Sequence, residues 1–162
     1  MQSRKEHLTK EGFNKLLAIK ASVNNGLSDD LKANFPNIIP VDKPQVKLPT
    51  SINPYWLTGF TSADGCFLVN CSKSSKSKFG YKTELIFSLS QHSRDAQLMK
   101  SLVQHFGCGG YYAWSTCNRG EFRVTSFSDV FEYVMPFFNK YPIMGVKSLD
   151  FADFCKVAEL MK

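Results

Sequence analysis

The spacing of apolar residues alternates along the chain between a strand-like and a helical period. In residues 81–91, Leu85, Phe87 and Leu89 alternate with polar side chains, which predicts a strand with one buried face. In residues 93–107 the apolar side chains recur three and four positions apart, which predicts an amphipathic helix. The chain therefore combines helices and strands within a length typical of one domain.

From residue 53 onward, the pattern predicts elements in the order α-β-β-α-β-β-α-α. Asn53 and Pro54 are a typical N-cap and first residue of a helix. The predicted helices are 53–63, 93–107, 128–141 and 149–162, and the predicted strands are 66–72, 81–91, 111–116 and 121–127. Four strands in two hairpins predict an α+β fold, with one four-stranded antiparallel sheet and helices on one face.

The first fifty residues differ in character from the rest. Helical patterns cover residues 9–26 and 28–35, and four prolines follow between residues 36 and 49. Prolines at this density predict an extended linker. We therefore expect an N-terminal helical segment and linker over residues 1–50 and the main domain over residues 51–162.

One face of the predicted sheet has no predicted cover and carries polar, charged and aromatic side chains. An antiparallel sheet commonly leaves one face in water, so an ordinary solvated surface and a binding surface both remain open. The predicted residues of this face are Leu68, Asn70, Ser72, Lys73, Lys82, Glu84, Ile86, Ser88, Tyr112, Trp114, Thr116, Glu121, Arg123 and Thr125.

The composition narrows the choice of partner. The chain has a formal net charge of +6, which favours a polyanion, with nucleic acid first and an anionic membrane surface second. No apolar run reaches the roughly 18 residues of a membrane-spanning helix. The five cysteines show no zinc-ligand spacing, and we expect them to be reduced and mostly buried.

The stretch from Trp56 to Asn70 places a single carboxylate, Asp64, where a helix meets a strand. Gly59 and Ala63 lie four residues apart in this helix, although glycine inside a helix costs about 1 kcal/mol relative to alanine. Small residues at this spacing allow close backbone packing, either with a second helix or with a strand of the same chain.

Residues 57–65, LTGFTSADG, resemble the LAGLIDADG motif, and homing endonucleases with that motif share the element order predicted above. Segments 86–91, 107–109 and 145–151 also resemble this family in order and spacing. The likeness covers residues 50–162 and is closest to single-chain enzymes encoded in fungal mitochondrial introns. It implies a mitochondrial location.

The resemblance also implies roles for individual residues. Asp64 matches the family's metal ligand, together with the backbone carbonyl of Ala63. Gln91 matches a residue that orders active-site water, and Lys147 matches a basic residue near the scissile phosphate. The implied cofactor is Mg²⁺, for which Mn²⁺ or Ca²⁺ can substitute in binding. Gln91 and Lys147 could otherwise be ordinary surface residues, and His92 is a weaker candidate for a general base.

The implied partner is double-stranded DNA, with the uncovered sheet face lying in the major groove. Arg123 would read guanine, Asn70 adenine, and Glu84 and Glu121 cytosine. The other predicted face residues would complete the contact. The residues added outside the face are Lys76, Lys78 and Arg119, and the lysines would mainly contact phosphates.

The chain contains one copy of the motif, and single-copy members of the family act as homodimers. The predicted pairing helix presents Leu57, Gly59, Phe60 and Ala63, and the partner is a second copy or a missing first-half domain. The expected function is a site-specific DNA endonuclease acting on a pseudo-palindromic site. The alternatives are a nucleic-acid-binding half-domain, an RNA maturase without cleavage, and a protein-interaction domain.

Overall fold

The computed structural model describes residues 5–44, 46–48 and 50–162. The chain divides into two compact units, Met1–Lys47 and Leu48–Lys162. This division lies three residues before the boundary expected from the sequence.

The N-terminal unit contains two helices, α1 (Lys10–Ser22) and α2 (Asp29–Asn34), after a short 3₁₀ turn at Glu6–Leu8. Thr9 caps α1, because its side-chain oxygen accepts the N–H of Gly12 at 3.0 Å. Ser28 caps α2 in the same way. Helix α1 ends four residues earlier than predicted.

The C-terminal unit follows the predicted order of elements. Its helices are α3 (Pro54–Asp64), α4 (Ala96–Phe106), α5 (Phe127–Asp129), α6 (Met135–Lys140) and α7 (Lys147–Met161), and its strands are β1 (Gly65–Lys73), β2 (Tyr81–His92), β3 (Gly110–Ala113) and β4 (Arg119–Val124). A 3₁₀ turn at Ser93–Asp95 precedes α4. The four strands form one antiparallel sheet in the order β1-β2-β4-β3. The predicted α+β fold is confirmed.

One face of the sheet carries the hydrophobic core. The register places Phe67 beside Phe87, and Leu89 beside Phe122. These side chains pack against buried residues of the helices, among them Leu57, Leu102, Phe138, Phe151 and Phe154. Burial of apolar side chains on this scale provides the main stabilisation of the fold. We call the opposite side of the sheet the open face.

Phenylalanine rings fill the centre of this core. The ring of Phe67 lies 5.1 Å from that of Phe87 and 5.5 Å from that of Phe138. The rings of Phe87 and Phe138 lie 5.3 Å apart in an edge-to-face arrangement. Aromatic pairs in such geometries add to the stabilisation from burial alone.

The helical region between β4 and α7 departs from its prediction at both its start and its middle. Ser126, rather than Ser128, caps α5 through the N–H of Asp129. A π-helical turn, Val130–Val134, then precedes Pro136. Proline has no N–H to donate to the preceding turn, and a wider turn accommodates that loss.

The cysteines are free, as expected, but the expectation that most are buried is wrong. Cys108 is buried and Cys155 half-buried, whereas Cys66, Cys71 and Cys117 are exposed. Burial raises the pKa of the Cys108 thiol to about 11, and the Asp129 carboxylate contributes in the same direction.

Across the described part of the chain, the helices are too short or too polar to cross a membrane.

Candidate active site

The junction between α3 and β1 positions the central carboxylate. The side chain of Asn53 caps the start of α3 by accepting the N–H groups of Tyr55 and Trp56 at 2.9 and 3.2 Å. Strand β1 begins at Gly65, directly after the last helical residue. A Cβ atom on Gly65 would lie 2.5 Å from the carbonyl oxygen of Thr61, so only glycine fits this abrupt turn. Asp64 is consequently held, exposed, at the C-terminal end of the helix.

Two predicted site residues converge on this junction from distant parts of the sequence. Gln91, near the end of β2, donates a hydrogen bond from Nε2 to Oδ2 of Asp64 at 2.8 Å. Lys147, the first residue of α7, donates from Nζ to the carbonyl oxygen of Gly65 at 2.6 Å. The structure therefore brings Asp64, Gln91 and Lys147 to one end of the sheet.

The charges around the junction suit both a cation and an anion. The last carbonyl groups of a helix lack intrahelical partners and carry partial negative charge, here beside the Asp64 carboxylate. Oxygen ligands of this kind suit hard divalent cations. The Lys147 ammonium group supplies a positive charge nearby, because it is bound to the carbonyl oxygen of Gly65, the residue that follows Asp64.

One chain supplies few ligands on its own. Within residues 5–44, 46–48 and 50–162, no group of three or more His, Cys, Asp or Glu side chains is placed to hold a metal ion. A metal centre at Asp64 therefore requires backbone, water, substrate or partner oxygens to complete its coordination.

His92, the weaker candidate, is engaged elsewhere. Its Nδ1 atom accepts the N–H of Arg94 at 3.2 Å and so caps the 3₁₀ turn that follows β2. This contact engages one of the two ring nitrogens, and the ranking of His92 below Gln91 stays a prediction.

Four positions of helix α3 spaced three and four residues apart lie on one side of the helix: Trp56, Gly59 and Ala63 are exposed, and Phe60 is half-buried and partly packed against the core. A Cβ atom on Gly59 would meet no atom of the chain within 4 Å. The rings of Trp56 and Phe60 stack at 5.1 Å. We call these four residues the α3 stripe. Trp56 was missed in the sequence, although its spacing from Gly59 would have revealed it.

Leu57 does not belong to this stripe. Its side chain is completely buried in the core of its own unit, so the prediction that it lies at a pairing surface is wrong. On the same buried side, Thr58 Oγ1 lies 2.9 Å from the carbonyl of Pro54 and 3.1 Å from that of Tyr141. This hydroxyl ties α3 to the segment that leads into α7 and Lys147.

Most of the predicted surface residues share the open face of the sheet. The register pairs Leu68 with Ile86, and Ser88 with Arg123, on this side. Cys66 and Ser90 share the face but were missed, although Ser90 continues the alternation of Ile86 and Ser88. The predicted residues on the open face are Leu68, Asn70, Ser72, Lys82, Glu84, Ile86, Ser88, Tyr112, Arg119, Glu121 and Arg123.

Three predicted lysines lie elsewhere. Lys73 pairs with Tyr81 and alternates in step with Phe67, so it projects toward the side of the sheet that carries the core, and its assignment to the open face is wrong. Lys76 and Lys78 lie in the turn between β1 and β2. They are exposed and extend the positive charge beyond the end of the sheet.

The remaining aromatic and threonine positions flank the sheet. Trp114 follows the end of β3 and donates its backbone N–H to the carbonyl of Arg119 at 2.9 Å. Thr116 and Thr125 are exposed and lie outside the strands. The predicted strands 111–116 and 121–127 were thus too long at their C-terminal ends.

Two acids of the open face have different environments. Glu84 is partly exposed, and its carboxylate accepts hydrogen bonds from Lys82 at 2.9 Å and from Asn70 at 3.3 Å. The bond from Lys82 holds the pKa of Glu84 below its ordinary value. Glu121 is buried and forms an ion pair with Nη2 of Arg123. The prediction that Glu121 is available to a cytosine base is wrong for this conformation.

Comparisons with known proteins identify a matching family model and relatives of this chain. The family model described as "LAGLIDADG endonuclease" matches residues 57–158. "Probable intron-encoded endonuclease 3" of Neurospora crassa is 41% identical over 160 residues, which is 98% of this chain and 30% of that protein.

Solved structures show the same similarity in three dimensions. I-SmaMI bound to cleaved DNA matches with a TM-score of 0.93 and 41% identity, over 97% of this chain and 52% of that one. I-SmaMI bound to an uncleaved DNA target in the presence of calcium ions matches with a TM-score of 0.94 and 41% identity, over 97% and 53%. The chain thus spans about half the length of these structures, and about a third of the curated relative.

Proposed function

The chain belongs to the LAGLIDADG endonuclease family, and on this premise we propose that it is one half of a site-specific endonuclease that hydrolyses phosphodiester bonds in double-stranded DNA. The observation that carries the proposal is the hydrogen bond from Gln91 to Asp64 at 2.8 Å, at the free end of α3. A purely structural helix end has no need for a carboxylate that is both exposed and oriented by a second side chain.

The other half is supplied through the α3 stripe. Gly59 has open space beside it, and the stripe combines it with large apolar side chains and Ala63. Exposed apolar surface of this kind typically marks an interface. Pairing with a second copy gives a symmetric dimer for a pseudo-palindromic site, and pairing with a first-half domain gives an asymmetric one. Either arrangement brings a second acid beside Asp64.

Asp64 and the backbone carbonyl of Ala63 would hold the divalent cation, for which we propose Mg²⁺, with Mn²⁺ or Ca²⁺ able to replace it in binding. Their oxygen atoms and the negative end of α3 fit a hard cation. Such a cation supplies charge compensation at the phosphate and lowers the pKa of bound water. Gln91 fixes the Asp64 carboxylate, so that its free oxygen keeps one orientation.

Lys147 acts on the phosphate side of the site. Its ammonium group is held by the Gly65 carbonyl, and two further N–H donors remain for a phosphate oxygen or an attacking water. A positive charge that is already positioned where negative charge develops in the transition state lowers the activation barrier, because the site does not have to reorganise. The hydrogen bond to Gly65, the residue after Asp64, keeps that charge close to the carboxylate.

The open face would contact the major groove. Its mixture of amide, hydroxyl, guanidinium and aromatic groups suits base edges, and the exposed lysines Lys76, Lys78 and Lys82 suit phosphates. The formal charge of +6 supports salt-dependent binding. We further propose a mitochondrial origin, in keeping with relatives that are named as intron-encoded proteins of fungi.

The second candidate is binding to nucleic acid without cleavage, as in an RNA maturase, which the same open face would serve. The discriminating experiment incubates the chain with a randomised palindromic DNA library in Mg²⁺, in Ca²⁺ and in EDTA, and sequences both bound and cut molecules. We expect bound sequences in Ca²⁺ and cut ends only in Mg²⁺. Binding without cut ends in Mg²⁺ would favour the second candidate, and tight binding to RNA alone would identify it.

A further inference from the structure

Glu121 is the one charged residue that is buried in the part of the chain the structure describes. Its side chain is 7% exposed, yet it lies on β4 at a position whose neighbours belong to the open face. Burial of a carboxylate is costly unless a partner compensates it. The partner here is Nη2 of Arg123, two residues along the same strand and on the same side of the sheet.

The side chain of Arg123 is partly enclosed. Its Nε–H group is buried and has no hydrogen-bond partner, whereas its side chain as a whole remains 38% exposed. Across the sheet, Arg123 pairs with Ser88 and with Gly110. The ring of Tyr112 lies against Gly110, because a Cβ atom there would be 3.1 Å from the Tyr112 hydroxyl. The Nε end of the guanidinium is therefore enclosed, and part of the side chain remains accessible.

The remaining donors of Arg123 have a defined geometry. Guanidinium has five N–H groups in a rigid plane; Nε–H is enclosed, and Nη2 forms the ion pair with Glu121. The N–H groups on Nη1 and Nη2 that Glu121 does not contact are left for an outside partner. Adjacent donors in one plane match the paired O6 and N7 acceptors of guanine in the major groove.

We propose that Glu121 is a positioning residue that holds Arg123 for recognition of one guanine in each half-site. Glu121 itself contacts no base; its ion pair sets the orientation of the Arg123 guanidinium. This inference rests on the proposed function, because it assumes that the open face contacts DNA. Glu84 has no comparable role, since its ion pair with Lys82 lies in contact with solvent, with side chains 40% and 51% exposed.

The test measures base preference at each position rather than total affinity. Selection from the randomised palindromic library in Ca²⁺, followed by sequencing, gives a preference profile for the full chain and for Glu121→Gln, which removes the charge but keeps the shape. We expect the wild-type profile to contain a guanine preference of about five- to a hundredfold at one position per half-site. Glu121→Gln should reduce that preference at least threefold and leave the other positions unchanged.

Two further variants make the result decisive. Glu132→Gln is the matched control, because it removes the same charge from an exposed position in the helical layer, away from the open face, and it should leave the guanine preference intact. Arg123→Met keeps an unbranched side chain without donors and should abolish the preference at that same position, and it does not depend on whether Glu121→Gln folds. Thermal unfolding confirms that each variant is folded before its profile is compared.

The possible failures are distinguishable. If the wild-type chain selects DNA, but Arg123→Met or folded Glu121→Gln keeps the wild-type profile, the inference is overturned and the proposed function stands. If Glu121→Gln weakens all positions equally, Glu121 is only structural and the inference is again overturned. If the wild-type chain enriches no sequence, both the homodimeric form of the proposed function and this inference fail.

Discussion

A single methyl group on α3 should have opposite effects on folding and on pairing. In Gly59→Ala, the new Cβ atom meets nothing within 4 Å in its own chain. The isolated chain should therefore gain about 1 kcal/mol in free energy of unfolding, which is the helix propensity difference between the two residues. If two α3 stripes pack closely in a homodimer, the same change places a methyl group on each helix into a filled space.

The expected loss of pairing follows from overpacking. Each inserted methyl group costs about 1–3 kcal/mol in a well-packed site, and the symmetric interface receives two. Association should weaken by about 2–6 kcal/mol, or roughly 30-fold to 10⁴-fold in the dissociation constant. Sedimentation equilibrium measures the association, and thermal unfolding at low concentration measures the stability of the single chain.

A propensity control separates the two effects. Gln104→Gly on the exposed side of α4 changes helix propensity in the opposite direction without touching α3. It should lower the unfolding free energy by up to about 1 kcal/mol and leave the association constant unchanged. If Gly59→Ala raises stability but pairs as tightly as the wild-type chain, the α3 stripe is not the pairing surface.

Three other changes test the fold. Thr58→Val removes the hydroxyl that reaches the Tyr141 carbonyl at 3.1 Å, and should lower the free energy of unfolding by about 1–3 kcal/mol in urea titrations; an unchanged midpoint would mean that this contact contributes nothing. Desolvation lowers the pKa of His105 from its ordinary value of 6.5. The contribution of His105 to the free energy of unfolding is therefore fully present above that value, and it is lost as the pH falls through the folded-state pKa. The stability of the wild-type chain relative to His105→Gln should therefore decrease from about pH 7.5 to about pH 5.5, and a constant difference would contradict the assignment. Cys108 should be alkylated by iodoacetamide far more slowly than Cys66 in mass-spectrometric time courses, because its thiol is buried with a pKa of about 11; equal rates would refute its burial.

The order of the elements could be predicted because each has a clear period and clear end signals. Asn53 and Pro54 mark the start of α3, and the alternation around Phe87 marks β2. The position of Lys73 was also readable, since it alternates in step with Phe67. Assigning it to the open face overlooked the strict two-residue period of a strand.

Other features depend on the register between strands, which the sequence does not give directly. Pairing of Gly65 with Leu89 is what brings Gln91 to Asp64, and only the family resemblance suggested it beforehand. Alternation placed Glu121 on the open face correctly. Its burial arises from Arg123 and from the neighbouring strand β3, and neither contact follows from the period of β4.

One residue assignment that was based on the motif is wrong. Leu57 stands at the first position of the motif-like stretch and was therefore assigned to the pairing surface, yet it faces the core. A helix has different sides, and membership of a contiguous motif does not specify which side a residue occupies. Counting three and four residues from Gly59 identifies Trp56 and Ala63 instead, and Phe60 follows because it lies four residues from Trp56 and three from Ala63.

We propose that Asp64 at the end of α3 is the cutting centre. Its most direct test is Asp64→Asn, assayed on a sequence selected by the wild-type chain. In Mg²⁺, cleavage should fall by more than about a hundredfold, because the metal-binding charge is lost. In Ca²⁺, binding to the same DNA should change by no more than about threefold, because the base and phosphate contacts are intact. Cleavage at the wild-type rate by Asp64→Asn would show that Asp64 is not the cutting centre.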